Sequence, residues 1–379
     1  MLEKIRAFVS KEAVLVVAVL AAAVSCALVP FDESYASYVD WRTLALLFCL
    51  MAVVTGLRFM GVMRLLGSWA VSHASSMRTL AFALVVLTFV SSMAVTNDVA
   101  LITFVPLALV VLSEAGEGRY AASVVVLMTV SANLGSMLLP VGNPQNLFLY
   151  RASGMDFPQF VLIMAPTVAL SAAMLVVALL IVFRGNAEGP SDCASRKNLP
   201  KPTGRQGLMF VSYLLLFALS IMAVVGLIDA FAVAVLVVLV LLFLDRRTLT
   251  KVDYGLLFTF VALFVFVGNM ARVPAVHEAL SALVGVAPFY AAVGSSQVIS
   301  NVPAAVLLSG FTNDWTALIV GTNLGGLGTP IASMASLISL KIATASGLVG
   351  KRHYLAVFTA WNVVFLAVLC AVNAVFGWA

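Results

Sequence analysis

The sequence predicts an all-α polytopic membrane protein. Three observations carry this. Of 379 residues, 63% are hydrophobic and only 10% charged, whereas a soluble domain carries about 25% charged residues. Long stretches contain no Asp, Glu, Lys or Arg at all, and such stretches read as membrane spans. The basic residues also fall on one side of an alternating topology, as cytoplasmic loops require. This composition excludes a disordered chain, which is polar and highly charged. It also excludes a water-soluble enzyme, and no nucleophile–base pair or metal cluster is evident. The net charge of +5 is loop charge that sets orientation rather than a nucleic-acid surface, since no basic patch is interleaved with aromatics. Cys26, Cys49, Cys193 and Cys370 form no CxxC or Cys/His pairing, so neither a disulfide nor zinc is implied.

The elements follow in order. Residues 13–30 form a first span, which we read as uncleaved despite Lys4, Arg6 and Lys11 before it. Residues 43–57 form a second. Residues 58–78 place Met60, Met63, Leu66, Trp69 and Ala70 at helical spacing, as in an interfacial amphipathic helix. Residues 79–113 read as a re-entrant hairpin around Thr96-Asn97-Asp98. Its arms, of about 15–17 residues, fall short of a hydrocarbon core of about 30 Å. A single long helix burying Asp98 is the alternative. Residues 120–150 hold two prolines and several asparagines without a charge. That pattern predicts a broken helix, since irregular backbone at membrane depth must be buried in protein or line a cavity. A span at 157–183 completes the first half.

The polar stretch 184–206 reads as a cytoplasmic linker and 207–228 as a connecting helix. Spans are then expected at 230–244 and 254–271, with an amphipathic stretch at 272–288. A second hairpin, 288–311, surrounds Ser300-Asn301-Val302, and a second broken helix covers 315–340. The final span is 354–376. The expected total is about nine transmembrane helices, two of them broken, plus two re-entrant hairpins. With the N-terminus in the cytoplasm and the C-terminus outside, every Lys and Arg except Arg42, Arg151 and Arg272 is cytoplasmic. The acids divide almost evenly between the two sides, leaving only Asp98 in the membrane. His73, His277 and His353 lie near predicted interfaces and read as solvated. Gly325–Gly328 lacks the Lys-Ser/Thr of a phosphate loop.

The two halves repeat. Ser91 to Asn97 aligns with Ser295 to Asn301, Asn133-Leu134-Gly135 with Asn323-Leu324-Gly325, and Gly142-Asn143-Pro144 with Gly328-Thr329-Pro330. Residues 1–183 then form one repeat and 229–379 a second, inverted by the connecting helix. Inverted repeats and broken helices meeting at mid-membrane are the architecture of secondary transporters. At each tip, one arm ends in free carbonyls and the other begins with free N–H groups. Thr96, Asn97, Ser300 and Asn301 add hydroxyl and amide groups. Together with Asn143, Asn146, Asn323, Thr329, Gly142, Pro144 and Gly328 they are the candidate substrate and ion ligands. Asn97, Asn143 and Asn301 are the candidate Na⁺ ligands; no other metal and no cofactor is implied. Asp98 is the candidate coupling group, for H⁺ or Na⁺, because ionisable residues within membranes mark ion paths; an N-cap role is the alternative.

At Thr96 to Leu101 and Gly142 to Asn146 the sequence resembles the ion transporter superfamily, which includes citrate and dicarboxylate symporters, arsenite permeases and sodium/proton antiporters. The resemblance covers nearly the whole chain. It implies an elevator mechanism, a homodimer, a bacterial or archaeal inner membrane and a small inorganic or organic anion as substrate. Dicarboxylate members carry Ser-Asn-Thr at each tip. Here Asp98 replaces the first Thr and Val302 the second, and an Asn-Asp tip is similar to arsenite permeases. The resemblance therefore implies transport of a small anion or organic acid, with arsenite efflux or Na⁺/H⁺ antiport as alternatives. A channel or a non-transporting receptor is the alternative of another class.

Overall fold

The computed structural model describes residues 12–184 and 204–377; the segments 1–11 and 378–379 and most of the linker, with Cys193, lie outside them. The described chain is all helical. Eight helices precede the linker: α1 (Ala13–Leu28), α2 (Trp41–Phe59), α3 (Val62–Ser72), α4 (Met77–Val95), α5 (Asn97–Glu114), α6 (Ala121–Gly135), α7 (Pro144–Ser153) and α8 (Phe157–Val182). After it, α9 (Gly204–Val224) leads to α10 (Ala230–Leu244), α11 (Tyr254–Ala271), α12 (Pro274–Val286), α13 (Pro288–Ile299), α14 (Asn301–Ser309), α15 (Trp315–Leu324), α16 (Met334–Ala345) and α17 (Lys351–Phe376).

Among the described residues, seven helices are long and apolar enough to cross a membrane, or eight if one bent pair is counted as a span. This differs from nine spans plus hairpins. The spans expected at 13–30 and 230–244 form helices of only 16 and 15 residues. The arms of the first hairpin are longer than expected, at 19 and 18 residues, and each is span-length by itself. In α4 the added residues follow a cap that a search for uncharged runs passes over. Ser76 opens α4 with a capping box to Thr79, the arrangement that satisfies otherwise orphaned N–H groups. The second hairpin is shorter, with arms of 12 and 9 residues.

Aspartates set many of the other helix starts. Asp40, Asp229, Asp253 and Asp314 cap α2, α10, α11 and α15 by accepting from backbone N–H groups one turn on. Carboxylates suit these positions because the helix N-terminus carries partial positive charge.

Packing interlaces the two sides of the linker. Helix α1 lies along α11, and α2 along α10. Each pair runs in the same direction. Glu12 lies beside Gly255 at one end of α1 and α11, and the Asn269 amide donates to Ser25 Oγ (3.0 Å) near the other. Beyond that end, Arg272 pairs with Asp32 at 2.6 Å. Arg42 and Asp229 approach to 3.9 Å where α2 and α10 begin. The Tyr213 hydroxyl of α9 donates to Asp245 (2.9 Å), just past the end of α10, while its ring lies against Gly56 near the end of α2. Two of the three basic residues placed outside in the predicted topology are thus matched by acids placed on that same side.

Hydrogen bonds from Arg272 and then Ser34 hold the Asp32 carboxyl down to about 2. Its unfolded value is about 3.9. The stabilisation is therefore complete above that value and is lost as pH falls through about 2. Asp32→Asn is expected to flatten this part of the acid dependence of Tm.

Helices α6 and α15 occupy the centre and are buried along nearly their whole length. Each packs on the first arm of its own hairpin, α6 on α4 and α15 on α13. Small residues permit the approach. A Cβ on Gly135 would stand 2.2 Å from Phe89 O and 2.6 Å from Ser92 Oγ, and one on Gly325 would stand 2.5 Å from Ser296 Oγ. Ser92 and Ser296 are the aligned serines, and Gly135 and Gly325 the aligned glycines. Gly135→Ala is expected to cost about 1–3 kcal/mol, because a backbone carbonyl must shift to admit the methyl. The measurement is Tm of the purified chain.

Candidate functional site

Among the described residues, Thr96 (φ 75°, ψ 149°) and Ser300 (φ 73°, ψ 154°) are the only non-glycine residues with positive φ. Each is the single residue between two helix arms. This region is nearly restricted to glycine, and residues held in it cluster at functional sites. The aligned tips therefore share one costly backbone conformation.

The first tip meets a broken helix through a side-chain amide, and the second through a hydroxyl and a backbone N–H. The first break runs from the end of α6, through a short 3-10 turn at Pro140–Gly142, to α7. Pro144 begins α7, where its missing N–H costs nothing, and Asn143 caps it by accepting from Asn146 N (2.9 Å). Gly142 packs on the Ser136 carbonyl. The second break lies between α15 and α16.

Two asparagines form the nodes. The Asn133 carboxamide oxygen accepts from Asn97 Nδ2 (3.1 Å) and from Ser333 Oγ (3.0 Å). Its Nδ2 lies 3.5 Å from both Gly326 O and Ser336 Oγ. The Asn323 oxygen accepts from Asn143 Nδ2 (3.1 Å), and its Nδ2 donates to Asn146 Oδ1 (2.5 Å) and Ile319 O (2.8 Å). Asn133 thus reaches across to the start of α16, and Asn323 to the start of α7. The spacing is the same in both halves. Ser333 and Ser336 follow Asn323 by ten and thirteen residues, as Asn143 and Asn146 follow Asn133.

That register corrects the alignment of the loops. Ser333 is the counterpart of Asn143, and Pro330 of Pro140. Gly328 and Thr329 do not join the amide network. Thr329 is exposed, and it donates through N and Oγ1 to Gln297 Oε1 and O at 2.9 and 3.0 Å. The aligned dipeptides Asn-Pro and Thr-Pro pointed to the wrong residue because the helix begins after Ser333, not at Pro330. Ser333, Ser336 and Gln297 were not singled out from sequence. The fixed spacing from Asn323 is the signal that finds the two serines.

The other expected residues fall around these nodes. Asn97 is buried, and its oxygen accepts from Asp98 N (3.0 Å). Ser300 Oγ and Asn301 N both donate to Ala332 O, at 3.2 and 2.9 Å. The Asn301 amide lies against Gly326. Asp98 stands in the first turn of α5, and its Oδ1 is buried without a hydrogen-bond partner. A carboxylate oxygen buried in that state is costly unless a proton or cation joins it. The network's polar groups are amides, hydroxyls and carbonyls; no Lys or Arg side chain enters it among the described residues. A cleft of about 120 Å³ leads from Glu12, Asp253 and Lys341 inward to Ser300 and Val302.

Two helix breaks and two strained tips thus lie together within a bundle of apolar helices, with buried amides between them. A profile of the citrate transporter family matches residues 3–312. The chain belongs to the citrate transporter family. It is 31% identical to the Escherichia coli inner membrane protein YbiR, covering 86% of each chain. It is 30% identical to an uncharacterized transporter of Methanocaldococcus jannaschii, over 83% of this chain and 84% of that one. A shorter match, 31% identical over 44% of this chain, is to a silicon efflux transporter of Oryza sativa, of which it covers 35%. As a member of the citrate transporter family the chain is an integral, multi-pass membrane transporter and not an enzyme.

Proposed function

We propose that the chain is a secondary active transporter of a small anion or organic acid, coupled to Na⁺ or H⁺ through Asp98. The observation that carries this reading is the pair of Asn nodes in the broken helices, one of them bonded to Asn97 at the first tip, with the partner-free Asp98 oxygen one residue beyond Asn97. Amides and hydroxyls bind oxygen-rich solutes of either protonation state. A cation or proton on Asp98 offsets the charge of an anion beside it. In this reading the two halves are inverted repeats with the N-terminus cytoplasmic, the tips and breaks move together against the remaining helices, and the protein is a homodimer.

A second reading is favoured by the absence of Lys and Arg from the network among the described residues. It takes the substrate as an uncharged hydroxylated acid, such as arsenious or silicic acid. The similarity to a silicon efflux transporter supports it.

Uptake into proteoliposomes decides between the two. The panel is citrate, succinate, arsenite and silicic acid, each with and without Na⁺ and a pH gradient. Gradient-driven uptake of an organic acid supports the first reading. Movement of arsenite or silicic acid alone supports the second. Na⁺/H⁺ exchange with no solute moved overturns both.

A further inference from the structure

The repeat register set by the two nodes extends beyond them. Leu337, Ile338 and Lys341 follow Ser333 on α16 by four, five and eight residues, as Leu147, Phe148 and Arg151 follow Asn143 on α7. The helices facing them correspond as well. Asp253 caps α11 by accepting from Leu256 N, and Asp40 caps α2 by accepting from Thr43 N. Yet the counterparts lie in unlike surroundings. Leu256, Leu337, Ile338 and Lys341 line the cleft that leads between α11 and α16 to Ser300 and Val302. Thr43, Leu147 and Phe148 are buried, and α2 packs on α7. The Phe148 ring also lies against Phe260 and Phe264 of α11, with centroids 6.1 and 5.5 Å apart. Lys341 is exposed at the cleft, which Glu12 and Asp253 also line. Arg151, its counterpart, keeps its Nε buried without a hydrogen-bond partner.

We propose that Lys341 and Arg151 are reciprocal gate residues, one for each face of the membrane. In this structure the face bearing Lys341 is open and the face bearing Arg151 is closed. In the second state Arg151 is exposed in a cleft between α2 and α7, and Lys341 is packed away against α11. One pair of surfaces that occurs twice, once parted and once packed, is what a bistable element requires. The exchange has a balance of charge. A buried guanidinium nitrogen without a partner is costly, and opening its face restores water to it. Closing the other face brings the Lys341 ammonium toward the carboxylates of Glu12 and Asp253, which offset its lost hydration. This rests on the transport reading above, in which the inverted halves direct α7 and α16 to opposite faces, and it names the residues that guard the path on each side.

The test reads accessibility rather than transport. Lys341→Cys and Arg151→Cys are introduced singly into the full chain in lipid vesicles. A charged, membrane-impermeant methanethiosulfonate is supplied to both faces. The adduct at the introduced position is read by peptide mass, so the native cysteines stay in place. Lys341→Cys should react at least about 10-fold faster than Arg151→Cys, because a minor state holds about 10% of the population or less. Phe148→Ala removes the ring contacts that hold the Arg151 face closed. It should raise the Arg151→Cys rate and lower the Lys341→Cys rate together. Should Phe148→Ala fail to fold, Phe148→Leu, which keeps most of the volume, decides.

Equal rates at the two cysteines overturn the proposal. So does a folded Phe148 variant that leaves either rate unchanged or moves both in the same direction, since that is loosening rather than exchange. A chain that moves no solute yet shows the opposed rate changes would instead overturn the transport reading and leave the gate standing.

Discussion

Asp98→Asn is expected to abolish coupled transport while leaving the protein folded. The substitution keeps the size and the backbone bond from Asp98 N to Asn97 Oδ1. It removes the one group near the nodes whose charge can change with a bound proton or be offset by a cation. Gradient-driven uptake should fall at least about 100-fold, in the range that loss of an essential ionisable group produces. The residual exchange should no longer respond to external pH or Na⁺. Tm should rise, because a buried carboxylate oxygen without a partner destabilises the native state. The two readouts separate a coupling role from a capping one. A mere N-cap would lose stability on substitution and keep its ion dependence. Wild-type pH and Na⁺ profiles in the variant would sink the coupling assignment.

Asn133→Ala is expected to have the next largest effect, on both stability and solute binding. Its side chain joins the first tip to the second broken helix, through Asn97, Gly326, Ser333 and Ser336. Truncation strands several buried polar groups, each at about 1–3 kcal/mol when left unsatisfied. A loss of about 3 kcal/mol or more follows by that scale, with KM for the transported solute raised more than about 10-fold. Because Asn133 and Ser333 share one bond, their effects should be coupled. The double variant Asn133→Ala with Ser333→Ala should cost clearly less than the two single losses added, as interacting residues do in a double-mutant cycle. Additive losses would show that the two do not act as one node.

Much of this site was legible in the sequence because its chemistry needs residue types that lipid disfavours. Asn97, Asn143, Asn146, Asn301 and Asn323 stand out in uncharged stretches, and all five are brought to the tips and breaks. Proline and glycine at Pro140, Gly142 and Pro144 marked the first break for the same reason. Helix lengths were less legible. Asp40 and Ser76 extend α2 and α4 beyond the uncharged runs by capping them, while Arg42 and Arg58 sit within the ends of α2. Serines at Ser333 and Ser336 were hidden by their abundance, since a serine in an apolar helix usually bonds to its own backbone, as Ser92, Ser131 and Ser220 do here. Gln297 was hidden for another reason. Its role comes from carbonyls about thirty residues away in sequence, Gly325 and Leu327, and from the space left by Gly328.

The interlaced packing of α1 on α11 and α2 on α10 has a consequence for how the chain reaches its native form. Helices α1 and α2 have their long partners beyond the linker, and α7 and α16 likewise pack against the returning arms α14 and α5 of the other side. Neither side of the linker is therefore an independent folding unit. The N-terminal portion must wait in the bilayer, with incomplete interfaces, until synthesis of the second is well advanced. Assembly resembles the closing of a clasp more than the growth of a bundle helix by helix.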